Sequence, residues 1–335
     1  MFGVIIIMFF VSRLLPGDPV MLIVGDHPTI EQIEAANEKL GFNKPLLVQF
    51  GIYLGNLFKG DFGISLRTKQ PVSIELGNRF AATFELVTIS LLLAMIIGFP
   101  LGILSAYYRE TKSATSIRAI SFSSIALPVF WSGMILQMLF HGKLGWLPLQ
   151  GRFSPNLQGI EMNINSGIML IDTLLSGNWR AFSDVIHHLA LPTLCLTFSS
   201  LGIIIRTVRS AVMETIEEDH FMTYRTFGFH PLTILFRLAF KNSLVLSLTV
   251  IGLVYGMLLG GSFLVESIFD WPGLGHFGVL SIITNDFPSV MGVTILYAGI
   301  YVLINFLVDV AYYFIERRWA AVNKFGEKLS KRTYA

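Results

Sequence analysis

The sequence predicts an all-α polytopic membrane bundle, and three observations predict it. The composition is apolar: 53% of the 335 residues are hydrophobic, 14% are charged, and the mean hydropathy is +0.65. An ordinary soluble domain carries about 25% charged residues. The apolar residues gather into stretches of about 20, the length a helix needs to cross a ~30 Å hydrocarbon core. The basic residues gather into alternate connecting loops. Together these give about six transmembrane helices with both termini in the cytoplasm, an extracytoplasmic segment after helix 1, and a cytoplasmic helix between helices 4 and 5.

The first apolar run, Phe2 to Ser12, holds eleven residues before Arg13, and at 1.5 Å per residue it reaches only about 16 Å. It lacks the basic start and small-residue cleavage site of a signal peptide. Residues 1–12 therefore read as a partial first helix, with residues expected upstream. Residues 13–80 form an extracytoplasmic segment, in which Thr29 and Gly41 bracket a short amphipathic helix. The transmembrane domain, 81–316, contains spans at Ala81 to Tyr108, Ala119 to Phe140, Leu189 to Ile205, Ser243 to Val265 and Pro288 to Ile315. A cytoplasmic loop occupies 209–241, and 317–335 form a cytoplasmic tail. From within the outer segment 141–188, the stretch that begins at Ile168 and runs to Pro192 reads as lying along the membrane surface before the next span.

Charge orients this arrangement. Arg109, Lys112 and Arg118 outweigh Glu110 in the loop 109–118; the segment 206–241 has five basic against four acidic residues; the tail from Glu316 has six against two. Segments 13–80 and 141–188 are balanced, and 266–287 holds Glu266, Asp270 and Asp286 without a Lys or Arg. Basic loops near membrane ends stay inside. The net charge of +2 gives no reason to expect nucleic acid as a partner.

The sequence carries no catalytic signature. It lacks the phosphate-cradling G-x-x-x-x-G-K-[ST] loop, H-E-x-x-H and G-x-S-x-G, and Cys195 is alone, so no internal disulfide or thiolate cluster forms. No metal site is expected, since the adjacent His187 and His188 point about 100° apart on a helix. Glu85 and Asp309 are the acids nearest the apolar spans, where an ionisable residue is a functional candidate; both lie near an interface, where pairing or snorkelling relieves the cost. A secondary transporter would show repeats and midplane ion sites, and an intramembrane enzyme a Ser–His, paired-Asp or metal constellation. Neither pattern is visible.

The segment from Arg206 to Asn242 is polar and helix-favouring up to Phe227, then breaks at Gly228 and Pro231. It reads either as an exposed helical knob able to dock in a partner's groove or as an ordinary loop. "GMLLGGSF" holds Gly256, Gly260, Gly261 and Ser262, small residues suited to close helix packing or to a deformable pathway lining. "WPGLG" places Trp271, Pro272 and Gly273 just outside that span. It reads as an outer-mouth contact or gate, or as a simple turn, with Trp271 suited to the interface.

The 206–242 segment resembles the coupling loop of ABC importer permeases. Glu214, Asp219, Thr223, Arg225 and Gly228 match, as do Arg237, Ala239 and Asn242. His220, Tyr224, Phe227 and Leu246 depart from the pattern. Further blocks are similar to the dipeptide/oligopeptide/nickel permease family: "RLLPGDP" (Arg13 to Pro19), "LGFNKPLLVQF" (Leu40 to Phe50), "GDFGISLRTKQPV" (Gly60 to Val72), "LPVFWSGM" (Leu127 to Met134), "LGWLPLQGR" (Leu144 to Arg152), "LLGGSFLVESIFDWPGLG" (Leu258 to Gly275) and "NFLVDVAYYFIERR" (Asn305 to Arg318).

The resemblance implies a cell-membrane permease that pairs with a second, similar permease subunit. It implies two ABC ATPase subunits docked at Glu214, Asp219, Thr223, Arg225, Gly228 and Arg237, and an extracytoplasmic solute-binding protein. ATP and magnesium would sit in the ATPases, with no cofactor on this chain. The solute would be a dipeptide, oligopeptide, nickel chelate or oligosaccharide.

Overall fold

The computed structural model describes residues 1–14, 29, 31, 43–155, 166–217, 224, 226–230, 233–234 and 240–333, with backbone alone at 14, 240–249 and 315–333. The amphipathic helix expected between Thr29 and Gly41 falls outside the described residues. In chain order the helices are α1 (Phe2–Leu14), α2 (Leu46–Phe58), α3 (Val72–Tyr107), α4 (Lys112–Ala126), α5 (Val129–Leu136), α6 (Met169–Leu175), α7 (Trp179–Ile216), α8 (Phe240–Ile268), α9 (Leu274–Ile283) and α10 (Phe287–Thr333). A π-helical stretch, Gln137–Lys143, continues α5. Among the described residues there is no strand, only an isolated antiparallel bridge between Ile64 and Pro71.

Among the described residues four helices are long and apolar enough to cross a membrane: Val72–Tyr107, Trp179–Ile216, Val250–Ile268 and Phe287–Phe314. A fifth is reached if Lys112–Ala126 and Val129–Lys143, bent by 107°, count as one span. The sequence reads 119–140 as unbroken; the structure breaks it at Leu127. Pro128 offers no N–H and disfavours helical geometry in the residue before it, and Leu127 is extended at φ −82°, ψ 127°. α1 is a shorter apolar helix, as its length predicts.

The stretch read as a surface segment before the span at Leu189 is different. α6 ends at Leu175, Gly177 turns with φ +67°, and a new helix starts at once. Asn178 caps it, its Oδ1 accepting the Ala181 N–H at 3.1 Å, as an N-cap asparagine does. Trp179 to His188 is thus continuous with α7. α10 likewise runs on past the apolar stretch to Thr333.

The chain divides into two compact units. The first comprises Met1–Glu85, Pro148–His188 and Glu266–Ile300. In it α1 packs on α2 through buried Phe9, whose ring lies 5.1 Å from Phe50 and 5.7 Å from Tyr53. Buried Asp286 caps α10 and also receives Ser65 Oγ at 2.5 Å and the Leu66 N–H at 3.0 Å, fixing the loop before α3. The second unit comprises Leu86–Leu147, Leu189–Val265 and Tyr301–Ala335. Its helices meet through small residues. A Cβ on Gly102 would fall 2.8 Å from Val208 Cβ, and one on Gly98 3.2 Å from Ile204 Cβ, so α3 and α7 approach closely.

Candidate functional site

The first unit gathers its buried polar side chains around the turn after α8. Glu266 is fully buried and accepts from Thr83 Oγ1 at 2.7 Å and from the His276 N–H at 3.0 Å. Thr83 Oγ1 in turn accepts the Leu274 N–H at 2.8 Å. The turn between them is compact: the Trp271 N–H donates to Glu266 O at 2.8 Å, and the Gly273 N–H to Trp271 O at 2.7 Å. A Cβ on Gly273 would meet Thr83 Oγ1 at 2.5 Å, so only glycine lets the turn close on these groups.

Trp271 is fully buried and donates from Nε1 to Ala82 O at 3.0 Å. This corrects the reading of Trp271 as an interfacial side chain: its indole finds its polar partner inside the protein. Pro272 is the exposed residue of the three.

Beside this turn Arg152 and Glu85 form a buried ion pair, their side chains 8% and 0% exposed. Arg152 Nη2 also donates to Gly167 O at 2.8 Å, and Glu85 Oε1 accepts the Leu170 N–H at 2.8 Å. The guanidinium lies 5.6 Å from the Trp271 ring centre, within cation–π range. Four chain segments, around residues 83, 152, 168 and 271, are thus clasped by two carboxylates. The sequence flagged Glu85 but not Thr83, Arg152 or Glu266, because pairing across 67 and 183 positions leaves no local signature. Asp309, the other flagged acid, is exposed.

In the second unit, Glu214 is exposed on α7. Gly228 has φ +75°, and the Phe229 N–H returns to Tyr224 O at 3.2 Å. The rings of those two residues meet edge to face at 5.6 Å. A left-handed glycine, a six-to-one hydrogen bond and an apolar contact across it make a Schellman-type helix stop. Asp219, Thr223, Arg225 and Arg237 lie outside the described residues. A cavity of about 650 Å³ opens beside the turn, lined by Tyr107, Met213, Ile216 and Phe229. At its edge Arg109 and Glu217 pair at 3.4 Å, both more than half exposed.

The glycines of α8 divide. A Cβ on Gly256 would fall 2.5 Å from Tyr301 Cδ2 of α10, Gly260 has nothing within 4 Å, and Gly261 sits in ordinary contact with Leu196. Ser262 is buried and donates to Leu259 O at 2.8 Å. The break between α4 and α5 lies in the same unit. Ser121 Oγ there donates to Gly202 O at 2.9 Å, while Cys195 Sγ and Ser132 Oγ donate to Val129 O at 3.3 and 2.8 Å. Among the described residues no group of three or more His, Cys, Asp or Glu side chains comes together as a metal site would require.

Residues 98–321 match the family model described as the binding-protein-dependent transport system inner membrane component. Residues 1–87 match the model for the N-terminal part of such membrane components. The chain is 42% identical over 316 residues to an Escherichia coli protein named "Probable D,D-dipeptide transport system permease protein DdpB", covering 94% of this chain and 92% of that one. It is 40% identical over 312 residues to the di/tripeptide transport system permease protein DppB of Pseudomonas aeruginosa, covering 93% and 92%. A chain of the MetNI methionine ABC transporter, solved in inward-facing conformations, aligns with a TM-score of 0.54 at 17% identity, covering 70% of this chain and 93% of that one.

Proposed function

The chain belongs to the family of binding-protein-dependent transport system inner membrane components, the permease subunits of ABC importers, and from that premise we propose that it carries short peptides. The observation that carries the peptide reading is the 40% identity, over nearly the full length, to a di/tripeptide permease. In this reading the chain crosses the membrane about six times with both termini inside, and it forms half of the pathway beside a second permease subunit. Two ATPase subunits supply ATP and magnesium from below, and an extracytoplasmic binding protein delivers the peptide.

The coupling site is Glu214, Asp219, Thr223, Arg225, Gly228 and Arg237. A lever needs a stiff element that stops at a fixed angle, and the Tyr224–Phe229 closure around Gly228 supports that role. ATPase closure would be carried through the long helices as rotation about an interface. Gly256, Gly260, Gly261 and Ser262 serve helix packing and the pathway lining, and Trp271, Pro272 and Gly273 shape the outer mouth.

The test is uptake of labelled di- and tripeptides by vesicles holding the full complex. Uptake should require ATP and the binding protein. Uptake that survives ATP depletion but collapses with the proton gradient would overturn the importer mechanism; ATP-driven uptake of another solute alone would overturn the peptide cargo. Gly228→Val should keep membrane insertion while separating ATP hydrolysis from uptake, since a branched residue at positive φ costs about 1–2 kcal/mol and moves the stop. Normal coupled uptake in that variant would remove the lever.

A further inference from the structure

We infer that the break between α4 and α5 is a peptide-backbone subsite lining the translocation pathway, with Ile125 to Phe130 as its groups. The inference rests on the peptide reading above.

The break leaves polar backbone open. Pro128 has no N–H to return to Ser124 O, and the extended conformation of Leu127 carries the chain away before the next three carbonyls find helical partners. Within the described residues, neither the carbonyls of Ser124, Ile125, Ala126 and Leu127 nor the N–H groups of Val129 and Phe130 receive a partner across the break. The chain there is also open to its surroundings, with Ala126 and Pro128 exposed and Ile125, Phe130 and Trp131 each 44–45% exposed.

That combination restricts what lies against it. Lys112–Ala126 and Val129–Lys143 together are as apolar as a membrane span. At membrane depth an unsatisfied backbone group costs several kcal/mol in lipid, so broken backbone persists only against protein or a water-filled cavity. The outer surface of a packed helix has spent its own N–H groups internally and offers these carbonyls little. A peptide in an aqueous pathway offers both N–H and C=O groups, in the same form whatever its side chains.

The surroundings suit such a cargo. Phe122, Phe130, Trp131, Met134 and Met138 are exposed around the break, at 44–67%. Aromatic faces and unbranched thioethers adapt to many side-chain shapes. Cys195 of α7 also ties the first residue of α5 through its bond to Val129 O at 3.3 Å, so the start of α5 does not rely on the cargo for its place.

The experiment uses the full complex in vesicles with Ala126→Cys and Phe130→Cys introduced separately. Cys195 is retained because its side chain is buried. Both new thiols should react with a charged, water-soluble methanethiosulfonate, and Ala-Phe dipeptide supplied with binding protein and ATP should slow that reaction. Pro128→Ala restores an N–H for Ser124 O and frees Leu127 to become helical. It should raise the apparent KM for dipeptide uptake about tenfold, the worth of one or two lost hydrogen bonds.

No labelling at either position overturns the subsite, because the break then faces lipid or a partner helix. Labelling that the dipeptide does not slow overturns it as well, leaving a water-lined bend. Unchanged KM in an assembled Pro128→Ala complex counts the same way, and if that variant fails to assemble with its ATPases the two cysteine variants decide. A wild-type complex that carries no dipeptide overturns the peptide reading itself, a result separable from all of these.

Discussion

The clasped turn of the first unit and the glycine seams of the second are both fully packed, yet they are held by opposite means. Around Trp271 the chain is fixed by direction: two buried carboxylates take hydrogen bonds from Thr83, Arg152, Leu170 and His276. Along α3, α7, α8 and α10 it is fixed by the absence of side chains, at Gly98, Gly102 and Gly256. Directional clasps fail when a partner is removed. Steric seams fail when an atom is added.

The largest effect is expected at the buried ion pair. Glu85→Ala leaves Arg152 charged and enclosed, and breaking a buried pair from one side costs about 3–5 kcal/mol. The double variant Glu85→Leu/Arg152→Met removes both charges and should recover most of that loss. Unfolding in detergent, followed by helical signal, measures both. A single variant that unfolds like the wild type would show that the clasp does not hold the first unit together.

The next effect tests the seam. Gly256→Val forces a side chain against the Tyr301 ring and should cost about 1–3 kcal/mol, the usual penalty of overpacking. Gly260→Val, with open space around it, should stay within about 0.5 kcal/mol. Equal losses at the two positions would mean that helix propensity, not the contact with α10, sets the cost.

These contrasts also show what the sequence could reveal. The long helices were legible because about 20 apolar residues in a row are what a membrane-crossing helix needs. The Gly228 stop was legible because a left-handed helix end asks for glycine. The break at Pro128 was written in the sequence but outweighed by the apolar run around it, and the cap at Asn178 was hidden in the same way. Gly98 and Gly102 stand at the same G-x-x-x-G spacing as Gly256 and Gly260, but lie without adjacent small residues inside a longer apolar run. The clasp is different in kind. Thr83, Arg152 and Glu266 are each unremarked locally, and only the fold brings them together.

The smallest effect belongs to Arg109 and Glu217, beside the cavity next to the Gly228 turn. Their 3.4 Å pair is more than half exposed on both sides, so water and salt screen it, and such pairs contribute about 0–1 kcal/mol. Arg109→Gln should barely move stability, and the coupling energy from a double-mutant cycle with Glu217→Gln should fall within that range and shrink further at high ionic strength. The contrast with Glu85→Ala is the point of the measurement. Both changes remove one half of an ion pair, and burial alone separates an expected loss of several kcal/mol from one near zero. A large, salt-insensitive coupling at Arg109 would show that this edge is covered in the assembled transporter, where docking of a partner against the Gly228 turn would shield it from solvent.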